Sequence, residues 1–266
     1  MSDCSVVIVN YNTGKMLSEV TDTVVKSKQK VSIIIVDNNS IDNSMELIED
    51  DPNIRKLFRE KNYGFADSCN YGASFVKTPF VLFLNPDCYI QPETIQLLVY
   101  ELEQNKKAAI IGCLVCNPDK SEQRASRRRL PTFWRAFKTK LKIEKLAKFS
   151  NLFAGINLNH QSMPKSTVFV EAVSGAFILM KTEVFKQIGG FDNKFPLHFE
   201  DLDLFKRTRD QGYQILFNPN VKVIHYQGTS SKMNPKVVEF KKVGLKRYFK
   251  KHGSIFSQII INFFIK

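Results

Sequence analysis

A handful of acidic and amide side chains stand where a reactive group would be placed. Asp37 ends Val31–Val36, the most apolar run of the chain, where an unpaired carboxylate is costly to bury. It needs a hydrogen-bond donor, and a base N–H or a ribose hydroxyl would serve; an Asx turn is the structural alternative. Asp87 follows Phe80–Leu84 and Asn85-Pro86. A carboxylate there is a hard-oxygen ligand for Mg2+ or Mn2+, which takes few protein carboxylates and lets substrate phosphates complete its shell. A simple Asn-Pro-Asp turn is the other reading. Glu200, Asp201 and Asp203 open a helical stretch that stops at Gly212. Three carboxylates suit that helix's dipole, and one of them, facing a crevice, can accept a proton from an attacking hydroxyl. His225 closes Val221–His225 before Gln227-Gly228-Thr229-Ser230, a place for metal or phosphate contact, with a purely structural histidine as the alternative. His160, His198 and His252 have weaker claims.

These groups need a frame, and the apolar runs supply it. Ser5–Val9, Val31–Val36, Asn53–Phe58 and Phe80–Leu84 each hand over to polar residues: Asn10-Tyr11-Asn12, Asp37-Asn38-Asn39-Ser40, Lys61-Asn62-Tyr63-Gly64 and Asn85-Pro86-Asp87. Parallel strands buried on both faces read as short unbroken apolar runs, and ligands bind outside their carboxyl ends. Between them the period turns helical: Leu17, Val20 and Val24, then Phe65, Cys69 and Val76, then Ile95, Leu98 and Leu102 behind Pro92. The expected order is β-α-β-α-β-α-β, with Ser40 capping the second helix and Asp42 in its first turn. Neither G-x-G-x-x-G nor a P-loop follows the first run, which disfavours a dinucleotide dehydrogenase or P-loop NTPase. Amides and carboxylates after each strand suit the edges of a base and a ribose instead.

The 266 residues, 43% apolar, suffice for one domain with appendages. Five irregularly spaced cysteines suggest reduced thiols in a cytoplasmic protein; Cys113 and Cys116 have C-x-x-C spacing but stand in and directly after the apolar stretch 108–115, and two strand cysteines is the favoured reading. No signal-peptide pattern precedes the first strand. The net charge of +13 is concentrated: residues 120–150 hold eleven Lys/Arg against two Glu, and residues 236–252 hold seven against one. Both segments are interleaved with apolar residues, among them Trp134, Phe137, Phe149, Tyr248 and Phe249. Such segments favour an anionic membrane surface, with ordinary solvated helix faces as the bland alternative and nucleic acid ranked lower for want of a binding motif. The run 255–265 is too short to span a bilayer and reads as lying in the interface.

Taken in order, Val9-Asn10-Tyr11-Asn12, Val36-Asp37-Asn38-Asn39-Ser40-Ile41-Asp42, Asn62-Tyr63-Gly64-Phe65, Asn70, Asn85-Pro86-Asp87, Ser174-Gly175-Ala176-Phe177, Gly189-Gly190-Phe191-Asp192 and Glu200-Asp201-Leu202-Asp203-Leu204 resemble an inverting family 2 glycosyltransferase of the GT-A fold. The Asn-Pro-Asp and Glu-Asp-Leu-Asp-Leu variants are most similar to rhamnosyltransferase-like enzymes of bacterial surface-polysaccharide synthesis. The resemblance implies an α/β fold: a Rossmann-like, mostly parallel mixed sheet flanked by helices, with a basic amphipathic insertion and a C-terminal helical segment. It divides the chain into a catalytic domain, 1–232, and a basic membrane-associating segment, 233–266. Within the domain it implies a donor half at 1–116, the basic segment at 120–150 and an acceptor and base half at 168–230.

The same resemblance implies the roles. Asn10, Asn12 and Asp37 would hold the nucleoside of a sugar-nucleotide donor, with Asn62, Asn70 and Asn85 nearby. Asp87, with His225, would hold the divalent cation, Asn85 replacing the first Asp of the common D-x-D pattern. Asp201 would be the general base, with Glu200 beside it. Arg127, Arg128, Arg129, Trp134 and Gly175 would face a glycan or polyprenyl-diphosphate-linked acceptor and the membrane. The expected protein is peripheral on the inner face of the cell membrane, transferring rhamnose from dTDP-rhamnose in O-antigen-like or capsule-like biosynthesis. A UDP-hexose or UDP-HexNAc donor is one alternative; an inactive sugar-nucleotide-binding or membrane-surface scaffold is another.

Overall fold

A computed structural model describes residues 4–148, 150, 153–227 and 235–264. The four apolar runs are strands β1 (Cys4–Asn10), β2 (Val31–Asp37), β3 (Ile54–Phe58) and β4 (Phe80–Leu84), with helix α1 (Lys15–Val25) after β1 and α2 (Phe65–Ala73) after β3. There follow β5 (Cys88–Tyr89), α3 (Thr94–Gln104), β6 (Ala108–Cys116), β7 (Arg127–Arg128), α4 (Phe133–Lys140), β8 (Val168–Val170), β9 (Ala172–Val173), β10 (Phe177–Lys181), α5 (Thr182–Gln187), α6 (Glu200–Asp210), β11 (Gln214–His225), α7 (Pro235–His252) and α8 (Ile255–Phe264). The polar stretch Gly228-Thr229-Ser230 and Phe149 lie outside the described residues.

The helix expected between β2 and β3 is absent; residues 38–53 form successive turns. Ser40 and Asp42 therefore cap nothing. The Ser40 hydroxyl accepts from Asn10 Nδ2 and from the Asn12 N–H, both at 3.0 Å, and Asp42 accepts from the Gly14 N–H at 2.8 Å. Side chains that can bond nearby backbone offer the chain an alternative to helix, and here the partners come from the neighbouring loop.

The main sheet runs β3-β2-β1-β4-β10-β6-β11-β5, with β8 also paired to β11. β1, β2, β3 and β4 are mutually parallel and β6 is parallel to β11, while β10 is antiparallel to both β4 and β6. This direction change matters for function. The C-terminal ends of β1, β2, β4, β6 and β11 share one edge, and β10, running the other way, begins there. Side chains alternate across the sheet: Val6 and Ile8 pack with Leu17 and Val20 of α1 and Leu98 of α3, Val7 and Val9 with Cys69 of α2, Phe185 of α5, Phe205 of α6 and Phe249 of α7. Cys113 and Cys116, three residues apart on β6, fall in opposite layers and are free thiols, so they are ordinary strand cysteines.

Candidate active site

At the ends of β1 to β3, neutral groups surround one carboxylate. Asn10 is fully buried; its Nδ2 lies within 3.0 Å of Asp37 Oδ1, Ser40 Oγ and Ser44 Oγ, and its Oδ1 accepts from Thr13. Asp37 Oδ2 accepts from the Ser40 N–H at 3.1 Å, so the donors its burial requires come from the protein itself. Asn12, at φ 54°, accepts from the Ile41 N–H through Oδ1. Asn38, which the sequence did not single out, is buried and ties this loop to the next: Nδ2 donates to Asn62 Oδ1 at 2.8 Å, and Oδ1 accepts from the Tyr63 N–H. Asn10, Asn12, Asp37 and Asn62 thus converge in one cross-linked rim.

Asn70 does not join them. Its Nδ2 donates to Phe191 O and its Oδ1 accepts from the Phe191 N–H, each at 2.8 Å. Both ends of the amide are spent on the Gly189-Gly190-Phe191 turn, a structural clamp in place of the nucleoside contact expected. Gly190, at φ +68°, makes room: a Cβ there would stand 2.5 Å from Asn70 Oδ1.

At the ends of β4 and β11, Asp87 and His225 meet. His225 Nε2 is 3.1 Å from Asp87 Oδ1 and 3.3 Å from Asn85 Nδ2. The pairing of Ile224 and His225 with Tyr89 and Cys88 aligns the two ends. Gln123, missed in the sequence, reaches the far side of the imidazole, 3.0 Å from Nδ1. A carboxylate oxygen beside an imidazole nitrogen is a donor set that fits a divalent cation. Among the described residues no three His, Cys, Asp or Glu side chains gather into a metal-binding cluster.

The third part of the edge is charged. Asp201 lies in the first turn of α6 behind two consecutive non-glycine residues in the left-handed region, His198 (φ 67°) and Phe199 (φ 70°). Such strain is sustained only where the surroundings over-determine it, and it gathers at functional sites. Asp201 Oδ2 pairs with Arg128 Nη2, and Arg128 also donates to Val173 O. Oδ1 accepts from the Leu202 N–H at 2.8 Å. Gly175, just before β10, has its bare Cα against this carboxylate: a Cβ would stand 2.7 Å from Oδ2. Asp201 and Gly175 therefore meet, with Asn85 adjacent through its N–H to Ala176 O at 3.0 Å.

The neighbouring acids differ. Glu200 is enclosed, and burial first, then the charge of Asp201, pushes its carboxyl up to about 8, which favours its neutral form at neutral pH. Burial would likewise raise Asp203, but hydrogen bonds from His252 and Lys251 and the charge of Arg207 outweigh it and bring the group to about 2. Asp203 anchors α7 to α6. Burial, then the charge of Lys241, lowers His198 to about 4.

The expectation that Arg127 and Arg128 offer their charge outward fails. They form β7 and are 4% and 8% exposed. Arg127 is bidentate to Glu122 and donates to Gln161 O and Ser162 O; Arg128 is committed to Asp201. A buried guanidinium needs partners; Arg127 finds them in Glu122 nearby and in residues 161 and 162, and Arg128 finds them on β9 and α6. Arg129 is half-buried, its N–H donating to Ile156 O. Trp134 on α4 is 65% exposed, beside Phe133, whose ring is 6.4 Å from that of Phe256 on α8. The first basic segment therefore lies beside the apolar run that starts at residue 255, more than a hundred residues further along the chain.

Residues 5–164 match the family model described as Glycosyl transferase family 2. The chain is 25% identical over 255 residues to the N-acetylglucosaminyl-diphospho-decaprenol L-rhamnosyltransferase of Mycobacterium tuberculosis, covering 86% of this chain and 78% of that protein. It is 26% identical over 175 residues to the rhamnosyltransferase WbbL of Escherichia coli K12, covering 62% and 61%. The mannosyltransferase PcManGT from Pyrobaculum calidifontis, solved in complex with GDP-Man and Mn2+, superposes with a TM-score of 0.65 at 15% identity, covering 94% of this chain and 63% of that one.

Proposed function

The chain belongs to glycosyl transferase family 2, and on that premise we propose that it moves rhamnose from dTDP-rhamnose to a hydroxyl of a polyprenyl-diphosphate-linked glycan, inverting the anomeric carbon. Glycosyl transfer is the family's reaction and the GT-A architecture is the fold found here. The choice of sugar and carrier is supported by the two rhamnosyltransferase relatives, one of which is named for a decaprenol-linked substrate. The observation that carries the reading is the placement of Asp201, against Gly175 on the same sheet edge as Asp37 and Asp87.

In this reading the rim of Asn12, Asp37 and Asn62 receives the nucleoside. The Asp201 carboxylate accepts the proton of the acceptor hydroxyl, whose oxygen bonds to the anomeric carbon. The bond from that carbon to the diphosphate breaks on the opposite face, and its electron pair leaves with the phosphate oxygen. Arg128 and the Leu202 N–H hold the base in one rotamer, which is a positioning contribution. Asp87 and His225 would hold a divalent cation, Mn2+ suiting the imidazole better than Mg2+, which supplies charge neutralisation of the diphosphate when bound. Transfer assays with dTDP-rhamnose and a panel of UDP-sugars, on a lipid-diphosphate acceptor with and without EDTA, test this; transfer from a UDP-sugar alone would replace the donor, and no donor binding would overturn the reading.

The joined surface of α4 and α8 supports a membrane-facing orientation. Trp134, in the first basic segment, and Ile255, Phe256 and Ile259, in the apolar run that follows the second, are each more than three-fifths exposed. Among the described residues no helix is long and apolar enough to cross a membrane. Exposed aromatic and aliphatic side chains next to Lys- and Arg-rich segments fit the headgroup region of anionic lipid. Flotation with vesicles of phosphatidylglycerol and phosphatidylcholine should capture the wild type and not Trp134→Ser/Phe256→Ser, with turnover of a water-soluble acceptor unchanged; equal capture of both would sink the orientation.

A further inference from the structure

The pair Asp87 and His225 has a second layer that no motif marks. Gln123 is 3% exposed and lies on the return after β6, where its N–H donates to Val115 O at 2.9 Å. The return is held by the Cys116 and Glu122 bridge and by Ser126 Oγ, which accepts from the Val115 N–H at 3.0 Å. The Gln123 side chain bonds one residue twice: Nε2 is 2.5 Å from His225 O, and Oε1 is 3.0 Å from His225 Nδ1.

These two contacts decide where the imidazole proton sits. A backbone carbonyl only accepts, so the amide nitrogen must face it, whichever way the amide is first drawn. The amide oxygen is then turned onto Nδ1, and an amide oxygen also only accepts. Nδ1 must carry the proton. In the neutral ring the lone pair is left on Nε2, the atom 3.1 Å from Asp87 Oδ1 and 3.3 Å from Asn85 Nδ2. The Asn85 amide can donate to that lone pair; the carboxylate cannot. An imidazole lone pair and a carboxylate turned toward the same point form a cation's donor set, whereas the other tautomer would bond Nε2–H to Asp87 and close the point off.

We propose that Gln123 is a positioning residue of the cation site: by accepting from Nδ1 it selects the His225 tautomer whose Nε2, with Asp87, can take a divalent cation. This rests on the reading that Asp87 and His225 hold the cation. Partners that fix the second nitrogen of a ligating histidine typically account for roughly 10–100-fold in metal affinity.

The test uses the full chain with 15N-labelled histidine. Metal-free wild type should show the His225 ring protonated at Nδ1, and Mn2+ added with thymidine diphosphate should give pulsed-EPR coupling to a directly bonded ring nitrogen. Gln123→Leu should lose the single tautomer and bind Mn2+ roughly 10–100-fold more weakly, with the circular-dichroism spectrum showing that it is folded. Wild type protonated at Nε2 overturns the proposal without recourse to any variant. Mn2+ held equally tightly by Gln123→Leu also overturns it, and leaves the cation site standing. If the wild type binds no Mn2+ with nucleotide present, the cation reading falls and takes this proposal with it.

Discussion

At the ends of β1 to β3 the buried polar groups are amides and hydroxyls gathered round a single carboxylate, whereas at the start of α6 they are charges in pairs. Asn10, Asn38, Ser40 and Ser44 each bond a partner no more than 34 residues away, in adjacent loops of parallel strands. Arg128 reaches Asp201 across 73 residues, Arg247 reaches Asp192 across 55 and His252 reaches Asp203 across 49. Losing one amide or hydroxyl from such a network costs one or two hydrogen bonds and leaves Asp37 its other donor. Losing one member of a buried ion pair costs more, because the survivor keeps its charge without a partner. The rim proposed to receive the donor is therefore the more robust, and the region proposed to carry the base the more brittle.

The comparison can be broken most sharply at the base. Asp201→Asn keeps the side chain's shape and removes its basicity; we expect transfer to fall about 10²–10⁴-fold with donor affinity unchanged, read by initial rates and by titration with the nucleotide sugar. Equal loss of donor binding would place Asp201 in the wrong half. Next in size is Arg128→Met, which strands Asp201. With side chains 10% and 12% exposed, the unfolding free energy should drop by about 3–5 kcal/mol, and Arg128→Met/Asp201→Leu should recover most of it. A single variant as stable as the double would show the pair to be solvated.

Within α6, adjacent acids should respond to pH with opposite signs. Glu200 has its folded value raised to about 8 from 4.5, so its contribution is intact below about pH 4.5 and is lost as pH climbs to about 8. Glu200→Gln should remove that loss, raising the melting temperature at pH 8 by several degrees relative to wild type while leaving it unchanged near pH 4. Asp203 has its folded value lowered to about 2 from 3.8; its contribution is present above about pH 3.8 and disappears as pH falls to about 2. Thermal melts across pH read both, and parallel profiles for Glu200→Gln and wild type would refute the assignment. The smallest effect belongs to Asn70→Ala, which frees the Phe191 backbone: about 1–3 kcal/mol of stability with no change in donor KM. A raised donor KM would return Asn70 to the nucleoside.

The sheet, its parallel strands and the edge at which they end were legible because apolar runs followed by Asn and Asp are a local pattern. The helix expected after β2 was not found, since Ser40 and Asp42 serve partners in the β1 loop and a one-dimensional reading sees only their cap propensity. Asn70 failed for a related reason: an amide beside other amides in a motif looks the same whether it faces a ligand or a backbone turn. Gln123 left no signal at all, being a single polar residue in a polar loop. Within the first basic segment the charge count concealed two different fates: Arg127 and Arg128 are buried in ion pairs, and Trp134 is exposed.

By itself the sequence determined which side chains stand at strand ends, because strand burial and turn chemistry act over a few neighbouring residues. It also placed Asp37 and Asp87 at the carboxyl ends of parallel strands, and so toward one edge of the sheet. Only the tertiary structure decided which of three neighbouring acids is aimed by an arginine, which is held neutral and which anchors a helix. Those outcomes depend on desolvation and on the nearest opposite charge, and both are set by groups that are brought together from distant parts of the chain.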